Sequence, residues 1–228
     1  MNGTNQLFVG GSFSSVGGSL ISANNIASWN GNSWSILGSN STNNGVNGQI
    51  NSVNAPTVYA LAMNGTNQLF VGGSFSSVDG GSISANNIGS WNGNSWNFLG
   101  IDSATNGVGL GGRDTVYALA MNGTNQLFVG GSSSISILAW DGNSWNSNIY
   151  LVGTVNALAM NGTQQLFVGG SFWLVGGSIF ANNIASWNGN SWSILGNSAN
   201  NGVGSGSDSV YALAMNGTNR DWRWTTNK

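Results

Sequence analysis

The chain has no cysteine, no histidine and no glutamate, and a single proline among 228 residues. Without cysteine there are no disulfides and no thiol nucleophiles. Without histidine there is no Ser-His-Asp triad, no imidazole acid–base chemistry and no histidine-based metal site. Charge is scarce as well, at 4% of residues with a net charge of −2. The acidic side chains are Asp79, Asp102, Asp114, Asp141, Asp208 and Asp221, and the basic ones are Arg113, Arg220, Arg223 and Lys228. This gives no basic surface of the kind that nucleic acids or anionic membranes require. No apolar run is long enough to insert in a bilayer, and Met1–Thr4 opens no basic-then-apolar leader. Localisation stays open on these grounds.

What is abundant is glycine, with 37 residues, together with asparagine and serine. Such a composition favours turns and short strands over helices. A polar, glycine-rich chain invites disorder. Against that, 40% of residues are hydrophobic, including 11 Trp and 9 Phe, and they fall in regular blocks.

The blocks form an internal repeat. Met-Asn-Gly-Thr begins at Met1, Met63, Met121, Met160 and Met215. One unit runs from Asn64 through Gln68-Leu69-Phe70-Val71-Gly72-Gly73, Asn87-Ile88-Gly89-Ser90-Trp91, and Ser95-Trp96-Asn97-Phe98-Leu99-Gly100, to Val116-Tyr117-Ala118-Leu119-Ala120-Met121. These are four apolar segments of strand length. Two connections are tight and carry Asn-Gly, a hairpin signal. Each unit is therefore expected to be a four-stranded antiparallel meander. The units are 1–63, 64–121, 122–160 and 161–215 in one domain, 1–215. The third unit keeps every strand in 39 residues, so a blade needs roughly 40 residues and the remainder is inserted loop. Long insertions cost about 0.6 kcal/mol per doubling.

Val58-Tyr59-Ala60-Leu61-Ala62-Met63 is apolar on both faces, with Tyr, Leu and Met on one and Val, Ala and Ala on the other. A sheet built of such strands needs cover on both sides, as between propeller blades and unlike a sandwich. Trp29 and Trp34, Trp91 and Trp96, Trp140 and Trp145, and Trp187 and Trp192 form pairs around a tight turn in each unit. They read as structural hairpin pairs, each contributing about 0.5–1.5 kcal/mol beyond burial.

Leu69-Phe70-Val71-Gly72-Gly73 followed by Trp91, Trp96 and Leu99-Gly100 resembles kelch-type β-propeller repeats. The phrase Asn-Asn-Ile-Ala-Ser-Trp-Asn-Gly is similar to the repeats of fungal cortical polarity-marker proteins and of bacterial and viral surface proteins. The resemblance covers residues 1 to about 215. It implies an all-β propeller of four four-stranded blades, either a closed ring in which Val210–Met215 completes the first blade or an open arc of a larger ring. It also implies a place on a cell or virion surface, and it says little of function, because propellers serve as scaffolds and as enzymes alike.

In units one, two and four the long connections gather at one end, the end where binding sites concentrate over a rigid scaffold. Phe172 and Trp173 stand there in place of Phe-Ser, and Asp114 and Asp208 stand at strand entry. These four are the candidate binding residues. The expected function is a non-catalytic binding or surface-structural repeat protein contacting protein or glycan, self-associating if the ring is open. It uses no cofactor and no metal. The alternatives are an Asp-dependent propeller hydrolase and a truncated repeat fragment. After Asn216 the repeat stops, and 216–228 reads as an aberrant tail. One codon spelling of Asp221-Trp222-Arg223-Trp224, shifted by a base, yields Ile-Gly-Gly-Gly, as a frameshift would. Asn40 and the Asn-Gly-Thr asparagines match the glycosylation pattern, and the latter read better as turns.

Overall fold

The structure is a computed structural model that describes residues 6–48, 55–65, 68–100, 106–108, 114–132, 136–197, 200–205 and 207–216. The expected tail beyond Asn216, with Arg220, Asp221, Arg223 and Lys228, lies outside the described residues, as do Asp102 and Arg113.

The described chain is all-β apart from a single 3-10 turn at Asp79–Gly81. Its main body is four antiparallel sheets in sequence order. Sheet I holds Leu7–Gly10, Ile26–Trp29 and Trp34–Ile36. Sheet II holds Thr57–Met63, Leu69–Ser74, Ile88–Trp91 and Trp96–Phe98. Sheet III holds Val116–Asn122, Gln126–Gly131, Ile137–Trp140 and Trp145–Asn146. Sheet IV holds Leu151–Asn161, Gln165–Val175, Ile184–Trp187 and Trp192–Ile194. Within sheets II, III and IV the strands pair in meander order, and no sheet closes on itself.

Hydrophobic clusters lie between consecutive sheets. Ile26 of sheet I and nearby Leu37 pack with Val58, Leu69 and Val71 of sheet II. Phe70 and Ile88 pack with Val116, Leu127 and Val129. Phe128 and Ala139 pack with Val155, Leu166 and Val168. Both faces of the inner sheets are thus dry, as their sequence requires.

The face assignment needs one correction. The register of the first strand shifts between Val58 and Ala60, between Val116 and Ala118, and between Val155 and Ala157. A bulge adds one residue and flips the alternation beyond it. Val58, not Tyr59, therefore shares a face with Leu61, and both lie over Gly10 of the preceding sheet. Tyr59 is left exposed and meets Tyr117 edge-on at 5.6 Å between ring centroids.

That contact recurs at each step. The first Gly of each Phe-Val-Gly-Gly lies under the next unit's Val and Leu. A Cβ on Gly72 would come within 2.5 Å of Val116 Cγ1, and one on Gly169 within 2.5 Å of Val210 Cγ1. Gly10 under Val58 and Gly130 under Val155 are equally tight. The glycines set the spacing between sheets.

All four tryptophan pairs are direct cross-strand partners, with centroids 5.3, 5.6, 5.0 and 5.5 Å apart and planes inclined by 51° to 57°. Asparagine acts in the intervening turn through its side chain, while Gly31, Gly93, Gly142 and Gly189 take the positive φ. Asn30 Oδ1 accepts the Asn32 and Ser33 N–H groups at 2.9 and 2.8 Å, and Asn92 and Asn188 repeat the pattern. Asp141 fills the same role in the third unit, accepting from Asn143 and Ser144 at 2.8 and 2.7 Å.

Residues 210–215 do not complete sheet I. Val210 and Leu213 lie over Gly169, the Val210 N–H donates to Gly170 O at 2.9 Å, and the segment pairs with no strand among the described residues. It begins a fifth step of the stack, for the same reason that Val58 sits on Gly10. The expected four-stranded first sheet is therefore three-stranded among the described residues.

Gly72→Ala is expected to destabilise the protein by about 1–3 kcal/mol through overpacking. In urea unfolding, Val116→Ala should absorb much of that loss, so the double variant costs less than the two singles combined; simple additivity would contradict the contact.

Hydrogen bonds from the backbone N–H of Ser144, then of Asn143, hold the Asp141 carboxyl below its ordinary value. A depressed folded pKa stabilises above the unfolded value of about 3.9 and loses that stabilisation as pH falls through the folded value. Asp141→Asn, neutral throughout, should narrow its stability gap to the parent on acidification below about pH 4. A pH-independent gap in thermal melts would count against this.

Candidate functional site

The described carboxylates are held in separate local structures. Asp114 is buried and accepts from Ser132 Oγ at 3.1 Å. Asp208 is exposed and closes a turn, accepting from Ser205 N at 2.7 Å and Ser205 Oγ at 3.2 Å. Asp79 sits in the 3-10 turn and accepts from Ser39 N at 2.9 Å. Asp141 belongs to its hairpin turn. The structure thus gives Asp114 and Asp208 structural partners and does not bring them together in one hollow. Among the described residues no group of three or more Asp residues is placed to hold a metal ion.

The long connections form ordered structure. Hairpins pair Ser15–Val16 with Ile21–Ser22, and Ser77–Val78 with Ile83–Ser84. The crossing strand Val46–Asn47 pairs with Ser77–Val78 of the next unit. Paired asparagines anchor each crossing to its own unit. Asn24 N donates to Asn44 Oδ1 at 2.9 Å, Val46 N to Asn24 O at 3.0 Å, and Asn25 Nδ2 to Val46 O at 3.0 Å. Asn182 and Asn183 make the same set with Asn201 and Val203. Asn87 Nδ2 reaches Val108 O at 2.9 Å. Gly45, Gly107 and Gly202 all have positive φ and leave no room for a Cβ beside the carbonyls of Asn24, Asn86 and Asn182. The recurrence of Asn-Asn with Asn-Gly-Val, present in units one, two and four, was the sequence signal for this clasp.

Unit three departs from the pattern. Ser136, at φ 47°, takes the asparagine position, and its hydroxyl donates to Leu151 O at 3.1 Å. The crossing is so short that it continues into the first strand of sheet IV, where Leu151 pairs with Val175 as Val46 pairs with Val78.

The shortcut changes what the outer tryptophan of sheet IV meets. Trp96 Nε1 donates to Leu37 O at 2.8 Å and Trp145 Nε1 to Leu99 O at 3.3 Å, each reaching into the preceding unit. At the same offset unit three has exposed Asn148. Trp192 is 7% exposed, and its Nε1–H is buried with no acceptor. An unmade hydrogen bond of this kind costs about 1–3 kcal/mol. Among the described residues, the other buried side-chain polar atom without a partner, Asn87 Oδ1, lies where Asn25 and Asn183 accept the N–H groups of Phe13 and Phe172.

A hollow of about 610 Å³ opens beside Trp192. Trp187, Tyr150 and Ile179 give it apolar walls, and Asn148, Asn190 and Ser191 give it polar ones. None of these residues is charged. Smaller hollows of about 230 and 260 Å³ recur in equivalent places between sheets, lined by Phe128, Leu166 and Trp187 in one and by Phe70, Leu127 and Trp140 in the other. Those follow from the repeat. The hollow beside Trp192 follows from its interruption.

The two aromatic candidates separate. Phe172 is buried and packs in the core between sheets III and IV, so its ring is not at the surface. Trp173 is half-exposed and stacks on exposed Phe180 at 5.9 Å with planes 27° apart. Phe180 lies on the Ile179–Phe180 strand, whose Ile179 lines the hollow. Sequence reasoning missed Tyr150, Phe180 and the second role of Trp187 and Trp192, because no single residue there is unusual. The signal was the missing loop. No protein-family model matches the chain, and no curated protein matches it.

Proposed function

We propose that this protein is a non-catalytic glycan-binding module built as an open arc of kelch-like β-propeller blades. Support for the blade reading comes from consecutive meanders, apolar on both faces, that stack in chain order with their first strands adjacent. The observation that carries the functional reading is the hollow beside Trp192, at the place where the repeat loses its loop.

Its chemistry suits a neutral saccharide. Aromatic and aliphatic walls take the C–H face of a sugar ring, while amides and a hydroxyl meet its hydroxyl groups. The stacked Trp173 and Phe180 form a separate exposed aromatic patch on the same hairpin, outside the lining of the hollow. The scattered aspartates support a hydrolase less well, since two carboxylates must flank one bond.

A screen of the purified chain on a glycan array should find a neutral oligosaccharide. Tyr150→Ala and Asn190→Ala, both exposed on the walls of the hollow, should each weaken that binding about tenfold or more with thermal melts little changed. No bound glycan, or binding indifferent to both changes, would overturn the proposal. Turnover of a glycan lost on Asp114→Asn or Asp208→Asn would replace it with the hydrolase reading.

A further inference from the structure

The two ends of the stack expose the two halves of one internal contact. In sheets II, III and IV a Val-Tyr-Ala-Leu-Ala-Met strand, or its Val-Asn-Ala-Leu-Ala-Met counterpart, pairs with Leu-Phe-Val-Gly-Gly. The register is constant: Met63 faces Leu69, Met121 faces Leu127 and Met160 faces Leu166. At one end of the stack, Leu7–Gly10 has this second sequence and no strand on its outer edge among the described residues. At the other, residues 210–215 have the first sequence, lie in place on sheet IV, and pair with no strand among the described residues.

The uncovered faces match as well. Leu7 is 47% exposed, whereas Leu69, Leu127 and Leu166 are each 1% exposed. Phe167 is half-buried, whereas Phe70 and Phe128 are buried. A hollow of about 390 Å³ lies between Phe167, Ile194, Leu195 and Met215, where the next sheet of the stack would sit. Neither edge carries a charge or a proline, the usual guards of a free strand.

We propose that residues 210–215 of one copy pair with Leu7–Gly10 of a second copy, completing the partner's first sheet and laying it over sheet IV. One event then buries Leu7, covers Phe167 and occupies both free edges. The joint is head-to-tail, so it propagates from copy to copy until a ring closes or a filament grows.

Gly11 supplies a test that spares the fold. A Cβ on Gly73 or Gly170 would collide with the carbonyl of Thr57 or Thr154 on the paired first strand. A Cβ on Gly11 would meet the Phe13 ring, at 3.4 Å, and no backbone atom. The equivalent carbonyl in a paired copy is that of Ser209. Gly11→Ala should therefore melt like the parent at dilution and yet weaken association about tenfold or more.

The measurement is mass by sedimentation across a concentration series, on the full chain and on Gly11→Ala. The mass should rise with concentration for the parent, and the rise should shift for the variant. Because the chain has no cysteine, Leu7→Cys combined with Met215→Cys should oxidise to a disulfide between copies. Leu7→Cys with Ala214→Cys, one residue out of register, should not. A parent that stays monomeric, association unaffected by Gly11→Ala, a disulfide formed within one copy, or equal oxidation of both pairs would each overturn the proposal.

Discussion

The structure depends on the close approach of one sheet to the next, made where a valine of one unit lies on a glycine of the unit before it. A four-stranded meander with apolar residues on both faces is not stable alone, because either face would stand in water. Stacking solves this if successive sheets come close enough to exclude voids. At Gly10, Gly72, Gly130 and Gly169 the absence of a side chain permits that approach, and a bulge beside Val58, Val116 and Val155 turns each of these toward its glycine. The outer corner is tied by a different device, the indole N–H of Trp96 and Trp145 reaching the carbonyls of Leu37 and Leu99. With almost no charge available, hydrogen bonds of this type and the asparagine clasps supply the directional contacts.

Much of this was legible in the sequence. Strand lengths, tight turns, tryptophan pairing and the need for cover on both faces followed from the repeat and its periodicity. Two features did not. A bulge leaves no mark in hydrophobic alternation when the residues on both sides are apolar, so Tyr59 was assigned to the face that Val58 occupies. The asparagine clasp was hidden because Asn and Gly are abundant everywhere in this chain. What distinguished Asn24, Asn44 and Gly45 from the rest was their joint recurrence in units one, two and four. The place of residues 210–215 was also beyond pattern reading. Their sequence fits a first strand, and only packing on Gly169 decides which sheet they belong to.

The candidate site belongs to the break in the repeat. The short unit-three crossing runs directly into a strand, Trp192 has no acceptor there, and a hollow opens beside it. Phe172, picked out by its neighbour's novelty, turned out to be core, while Trp173 stayed at the surface. In a repeat protein the regular features explain stability, and function is best sought where regularity fails.

Hydrogen exchange of the dilute protein, read strand by strand, tests the stacking account most directly. If each sheet is stabilised by the neighbours that cover it, amides of Leu69–Ser74 and Gln126–Gly131 should open least often and those of Leu7–Gly10 and 210–215 most often. Uniform protection along the chain, or an outer strand as slow as the inner two, would contradict it.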